Sequence, residues 1–153
     1  MHKIIQYIEQ SILNKNSIDV SVSQFIRDTD FHELIDTSKF IEQKYTRDKL
    51  LDMPNAVVYL IYWAKGSYSP PHNHPKGGCI LKVLNGALCE TSYDLVENMA
   101  VCTDDSKLLV KDSIGTKYGN ELHSIKAIDD TVSIHIYFPG NYTPTFFGCR
   151  KSV

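Results

Sequence analysis

Two histidines one residue apart, His72 and His74, stand in the run Gly66-x5-His72-x-His74-x4-Cys79-x6-Gly86. Alternate side chains on a strand share a face, so the two imidazoles would point the same way, about 7 Å apart along the backbone. Neutral imidazoles converging from one strand suit a first-row divalent metal. The flanking glycines allow the tight turns and close strand approach of a small barrel. A third ligand must come from a distant strand, and the remaining histidines are His2, His32, His123 and His135. His2 at the terminus and His32 in a polar helical region read as surface residues. His123 opens a strand-like run well downstream. His135 lies in Ser133-Ile134-His135-Ile136-Tyr137, where alternation sets Ser133, His135 and Tyr137 on one face and two isoleucines on the other. A lone inward histidine is more often hydrogen-bonded behind a site than a ligand, and His135 is read so. The bland alternative for His72 and His74, exposed loop histidines after Pro70-Pro71, fits the intact glycine spacing poorly.

The elements that must carry these residues change character along the chain. The first third reads helical: Ile5, Ile8 and Ile12 follow a three-then-four spacing, and Val22, Phe25 and Ile26 make a second apolar face. Asp36, Thr37 and Ser38 are candidate N-caps for a helix carrying Phe40 and Ile41. No glycine precedes Gly66, which favours helices over hairpins there. The runs Ala56 to Trp63, Cys79 to Leu84 and Val132 to Phe138 have the Val, Ile and Tyr content of strands. Asn85-Gly86, between two such runs, predicts a hairpin. Short strands behind a helical cap predict a mainly β sandwich or barrel, one domain over residues 1–153, with a helical region at 1–50 and the barrel core at 55–140.

Composition excludes several classes. A net charge of −2 over 153 residues, with 42% hydrophobic content, asks for neither nucleic acid nor a membrane surface. Polar residues interrupt the N-terminus too early for a signal-peptide core, and no apolar run approaches a membrane span. Cys79, Cys89, Cys102 and Cys149 have no compact framework spacing, so reduced thiols in the cytoplasm are expected. With no apolar stripe left over, a monomer is expected.

The glycine-bounded His-x-His run resembles the first metal-binding motif of the cupins, with one departure. Many cupins carry a glutamate after the histidine pair, and here Cys79 stands in its place. His123 falls where the second cupin motif supplies its histidine. Three neutral histidines would leave the ion's two charges uncompensated and several positions open. Such a centre favours an anionic, bidentate ligand, and a thiolate suits borderline metals well.

The resemblance sharpens further along the chain. Tyr45-Thr46-Arg47, Trp63, His72-x-His74, Cys79 through Gly86, Leu122-His123 and Ser133-x-His135-x-Tyr137 resemble the cysteine dioxygenase family in order and spacing, from about Tyr45 through Pro139. The resemblance implies a jelly-roll cupin barrel with one Fe(II) held by His72, His74 and His123. It implies oxidation of L-cysteine by O2 to cysteine sulfinic acid, as a step of cysteine catabolism. Arg47 would pair with the substrate carboxylate, with Tyr45 and Trp63 in the same pocket. Tyr137 would point its hydroxyl at substrate and oxygen, steadied by His135 and Ser133. Cys79 matches the residue that forms a thioether with this tyrosine in the animal-type enzymes, and Phe138-Pro139 matches a cis bond.

Departures from the family are expected to act on access. Residues 116–121 intervene between Gly115 and Leu122-His123, so the loop over the site should be remodelled. The chain also stops soon after Cys149, short of the family's C-terminal segment. Rival readings are a dioxygenase for another small thiol such as 3-mercaptopropionate, a non-redox Zn2+ or Mn2+ cupin, and a ligand-sensing cupin.

Overall fold

The computed structural model describes residues 3–150; His2 lies outside them. Two helices, α1 (Lys3–Ile12) and α2 (Val20–Asp28), precede ten strands. These are β1 (Tyr45–Asp52), β2 (Val57–Trp63), β3 (Tyr68–His72), β4 (Cys79–Asn85), β5 (Ala87–Val96), β6 (Met99–Val110), β7 (Ile114–Lys117), β8 (Leu122–Ala127), β9 (Thr131–Tyr137) and β10 (Cys149–Arg150). They form two five-stranded sheets, ordered β1-β2-β9-β4-β7 and β10-β6-β5-β8-β3. The sheets enclose a barrel plugged by Ile61, Trp63, Leu81 and Val83 from one and Leu88, Leu109, Ile125 and Ala127 from the other.

The helices explain why the first sheet reads as continuous apolar sequence. Ile8, Ile12, Val22, Ile26 and Phe31 pack on Val58, Leu60, Tyr62, Ile80, Ile134 and Ile136. Both faces of its middle strands, β2, β9 and β4, are therefore buried, and β2 carries apolar or aromatic side chains at every position. On β9 the isoleucines go to the helices, and Ser133, His135 and Tyr137 are left for the barrel interior.

Four expectations from sequence need correction. The helical region does not reach residue 50, because β1 begins at Tyr45 and pairs with β2 from Tyr45↔Trp63 to Asp52↔Val57. The turn joining them needs no glycine: Met53 and Ala56 exchange backbone hydrogen bonds around Pro54-Asn55. Asp36 does cap a turn through Ser38 N–H, but that 3-10 turn ends at Lys39 and Phe40 lies beyond it. Asn85-Gly86 is a corner between sheets, not a hairpin, since β4 pairs with β7 and β9 while β5 pairs with β6 and β8. Gly86 has φ +95°, and a Cβ there would stand 2.4 Å from the Asp130 carbonyl oxygen.

One buried cation ties the helices to the barrel. Lys82 Nζ donates to the carbonyls of Ile26, Arg27 and Thr29 at 3.1, 3.0 and 2.9 Å, closing the C-terminal end of α2. Lys82→Met would keep the stem and strand three carbonyls, at a cost of about 3 kcal/mol. Urea denaturation checks this, and a loss below about 1 kcal/mol would show that water reaches those carbonyls.

Candidate active site

His72 closes β3 directly opposite His123, near the start of β8. The strand ends there, so His74 is not positioned by strand alternation as the sequence suggested. Its backbone N–H donates to Gly119 O at 2.8 Å, and its ring Nδ1 donates to Glu121 O at 2.8 Å. Residues 118–121 thus brace a histidine and contribute no wall of the cavity, contrary to the expected loop over the site.

All three imidazoles share one tautomer. Nδ1 of His72 lies 2.7 Å from Pro70 O, that of His74 faces Glu121 O, and that of His123 lies 2.8 Å from Glu90 Oε2. Carbonyl and carboxylate oxygens only accept, so each Nδ1 carries the proton and each Nε2 presents a lone pair. The Nε2 atoms of His74 and His123 are 3.0 Å apart with no proton left to share between them. Two nitrogens bound to one ion at about 2.1 Å and a right angle would be separated by about 3.0 Å. The ligand atoms of His72, His74 and His123 all lie within 4.8 Å of one another. This donor set fits a divalent first-row ion. Burial holds His74 down to about 2 and His123 well below its ordinary value, and His72 is lowered for the same reason, so all three rings stay neutral.

Beside the histidines opens a cavity of about 310 Å³ lined by Tyr45, Arg47, Tyr59, Trp63, Cys79, His135 and Tyr137, among others. A hydrogen-bond chain runs along one wall. Trp63 Nε1–H, which only donates, reaches Ser133 Oγ at 2.9 Å. Ser133 Oγ lies 2.7 Å from His135 Nε2, and His135 Nδ1 lies 3.5 Å from the Tyr137 oxygen. His135 is thereby held between Ser133 and Tyr137. Trp63 anchors this chain, with Tyr45 stacked on it at 4.8 Å between ring centroids.

Cys79 and Tyr137 are cross-strand partners, directly opposite each other on β4 and β9. Burial raises the thiol to about 12 and the phenol well above its usual value, so both are protonated. Arg47 forms no ion pair among the described residues, and its guanidinium carbon lies 5.0 Å from the centre of the Tyr59 ring. An aromatic face holds a guanidinium without using its N–H donors. Tyr59 also meets Tyr137 edge-on at 6.0 Å. Beyond Pro139, whose bond to Phe138 is cis, the chain returns over the mouth. There Thr145 N–H and the Tyr142 hydroxyl donate to the Asn73 side chain, and Phe146 lies on His72. His32 is far simpler: its Nδ1 pairs with exposed Asp30 at 2.7 Å.

Sequence reasoning missed Tyr59, Asn73 and Glu90. Glu90 had a signal, because it shares the inward parity of Leu88 on β5, where a charged residue is out of place without a partner.

Burial holds His135 down to about 3, against about 6.5 for an unfolded histidine. As pH falls below about 6.5, the unfolded chain takes up a proton that the folded chain refuses. Stability is therefore full above that pH and lost progressively towards 3. Metal-free protein should melt lower at pH 5.5 than at 7.5, with a shallower slope in His135→Gln; an equal slope in the variant would exclude His135 as a source.

The double-sheet barrel with an inward histidine cluster is that of the cupins. A cupin superfamily protein from Desulfitobacterium hafniense matches 81% of this chain and 95% of its own at TM-score 0.56 and 17% identity. A double-stranded β-helix protein from Klebsiella pneumoniae matches 74% of this chain and 89% of its own at TM-score 0.58 and 15% identity. Within that class, the model of the family "Cysteine dioxygenase type I" matches residues 2–150, and the chain belongs to that family. Cysteine dioxygenase type 1 of Danio rerio is 29% identical over 128 residues, covering 74% of this chain and 58% of that protein. The Homo sapiens protein is 32% identical over 116 residues, covering 67% and 54%. The chain thus spans little more than half the length of these curated relatives.

Proposed function

We propose that this chain is an iron-dependent dioxygenase that oxidises L-cysteine to cysteine sulfinic acid, both oxygens coming from one O2. The observation carrying this reading is an unpaired Arg47 guanidinium at the mouth of the cavity that also holds the three histidines and Tyr137. Fe(II), held by His72, His74 and His123, would supply the one-electron chemistry that lets O2 react with a thiolate. Arg47 binds the carboxylate and fixes the pose of the thiol. Tyr137 donates its hydroxyl proton as a hydrogen bond to the reacting oxygen or sulfur atoms. Trp63 and Ser133 hold the His135 ring in place beside Tyr137. The aromatic walls exclude water.

Cys79 is proposed to join Tyr137 by a thioether, losing its S–H and a ring C–H as O2 accepts the two electrons and two protons. The link removes a free thiol that would compete with a thiol substrate. A mass two hydrogens below the sequence mass, resistant to reductant, is expected after turnover.

A second reading has its own support. Among the described residues no Asp or Glu lines the cavity, so none of their carboxylates there meets the amine of cysteine. 3-Mercaptopropionate has no amine and would use Arg47 equally. The deciding experiment is O2 uptake by anaerobically Fe(II)-loaded protein offered each thiol, with products identified by mass. One cysteine sulfinate per O2 supports the main reading, and preference for 3-mercaptopropionate changes the substrate. No uptake with either thiol, despite stoichiometric iron, overturns oxygenation and favours a non-redox cupin.

A further inference from the structure

We infer that Glu90 is a positioning residue for the metal centre, supplying from outside the coordination shell the negative charge that Cys79 fails to supply within it. The inference rests on the three-histidine metal reading. Glu90 stands mid-strand on β5 with its side chain 2% exposed, inside the barrel. Burying a carboxylate is costly unless its partners repay the lost hydration. Among the described residues its one hydrogen-bonding partner is His123 Nδ1 at 2.8 Å; Lys107, 58% exposed, stands off at 3.6 Å. A neutral imidazole returns little of that cost in the metal-free protein.

The return comes when a dication occupies the far side of the same ring. Charge then runs in one line, from carboxylate through the Nδ1 proton to the Nε2 donor and the ion. The carboxylate makes Nε2 more electron-rich and locks the ring's orientation. His72 and His74 donate to neutral carbonyls, so His123 is the one ligand that receives this charge. The arrangement offsets one charge of the ion and leaves every open coordination position free. A glutamate bound directly to the ion would offset the same charge and occupy a position.

Structural and metal-directed roles predict opposite stability effects. Glu90→Gln keeps the shape and an acceptor for His123 but removes the charge. Metal-free Glu90→Gln should melt at or above the wild-type temperature, because a buried charge has gone. Its affinity for Co(II), read by competition with a coloured chelator, should fall about 10–100-fold. A lower melting temperature with unchanged affinity would make Glu90 a structural residue and overturn the inference. Lys107→Gln, at an exposed position, removes the cation competing for the same carboxylate and should tighten Co(II) binding; weaker or equal binding would overturn it. Wild-type protein that binds no Co(II) would sink the metal reading itself, whereas wild-type binding matched by Glu90→Gln sinks the inference alone.

Discussion

His74→Ala is expected to abolish metal retention and, with it, thiol oxidation. His74 sits 3.0 Å from its partner donor on His123, with its ring held by Glu121 O and its backbone by Gly119 O. Among the described residues no neighbouring carboxylate or thiolate is placed to take over, since Glu90 lies behind His123 and Cys79 stays a protonated thiol opposite Tyr137. Two histidines cannot hold a labile dication tightly enough to survive purification. The loss should exceed the roughly 100-fold that removing an outer partner costs. Metal analysis of purified protein checks it, with folding followed by near-UV circular dichroism. The metal-free variant should remain folded, because two lone pairs facing each other at 3.0 Å repel until an ion lies between them. One metal per chain in His74→Ala would place the ligands elsewhere.

Arg47→Ala should act on a different quantity. A charge-assisted pair contributes about 1.5–3 kcal/mol, so KM for L-cysteine should rise about 10–150-fold. Lys49, 5.9 Å from the Tyr59 ring, keeps some positive field at the mouth and favours the lower end of that range. Cysteamine, a thiol without a carboxylate, serves as the control, and its oxidation should change little. Tyr59→Leu should raise the cysteine KM more gently, about 2–5-fold, by releasing the guanidinium from its aromatic support. Tyr59→Phe keeps the face and should keep the KM. Equal losses with cysteine and cysteamine in Arg47→Ala would mean that Arg47 supports the fold of the mouth and not the carboxylate.

Where the sequence succeeded, a local rule had a strong physical cause. Ile134 and Ile136 had to go to the helices, so Ser133, His135 and Tyr137 had to face inward together. The His-x-His run, Arg47 and Trp63 were legible because the resemblance fixed their order. The sequence also held the two-residue hairpin that was overlooked: Glu97 and Asn98, both at positive φ, join β5 to β6 with Val96 opposite Met99. Asn85-Gly86 is the stronger hairpin pattern locally. The glycine there answers to Asp130 and Thr131, residues more than forty positions distant.

The sequence by itself determined the strand-rich barrel and the inward face of β9, because periodicity and apolar burial act over a few residues. Only the tertiary structure decided which lone pairs converge. The tautomer of each ligand depends on an acceptor brought from elsewhere: Glu121 from the loop before β8 for His74, and Glu90 across the sheet for His123. It also decided that Arg47, exposed and charged on a strand of unremarkable polarity, stands over Tyr59 at the mouth of the cavity. Those pairings span strands distant in sequence, and register between strands is a property of the folded sheet, written in no local pattern.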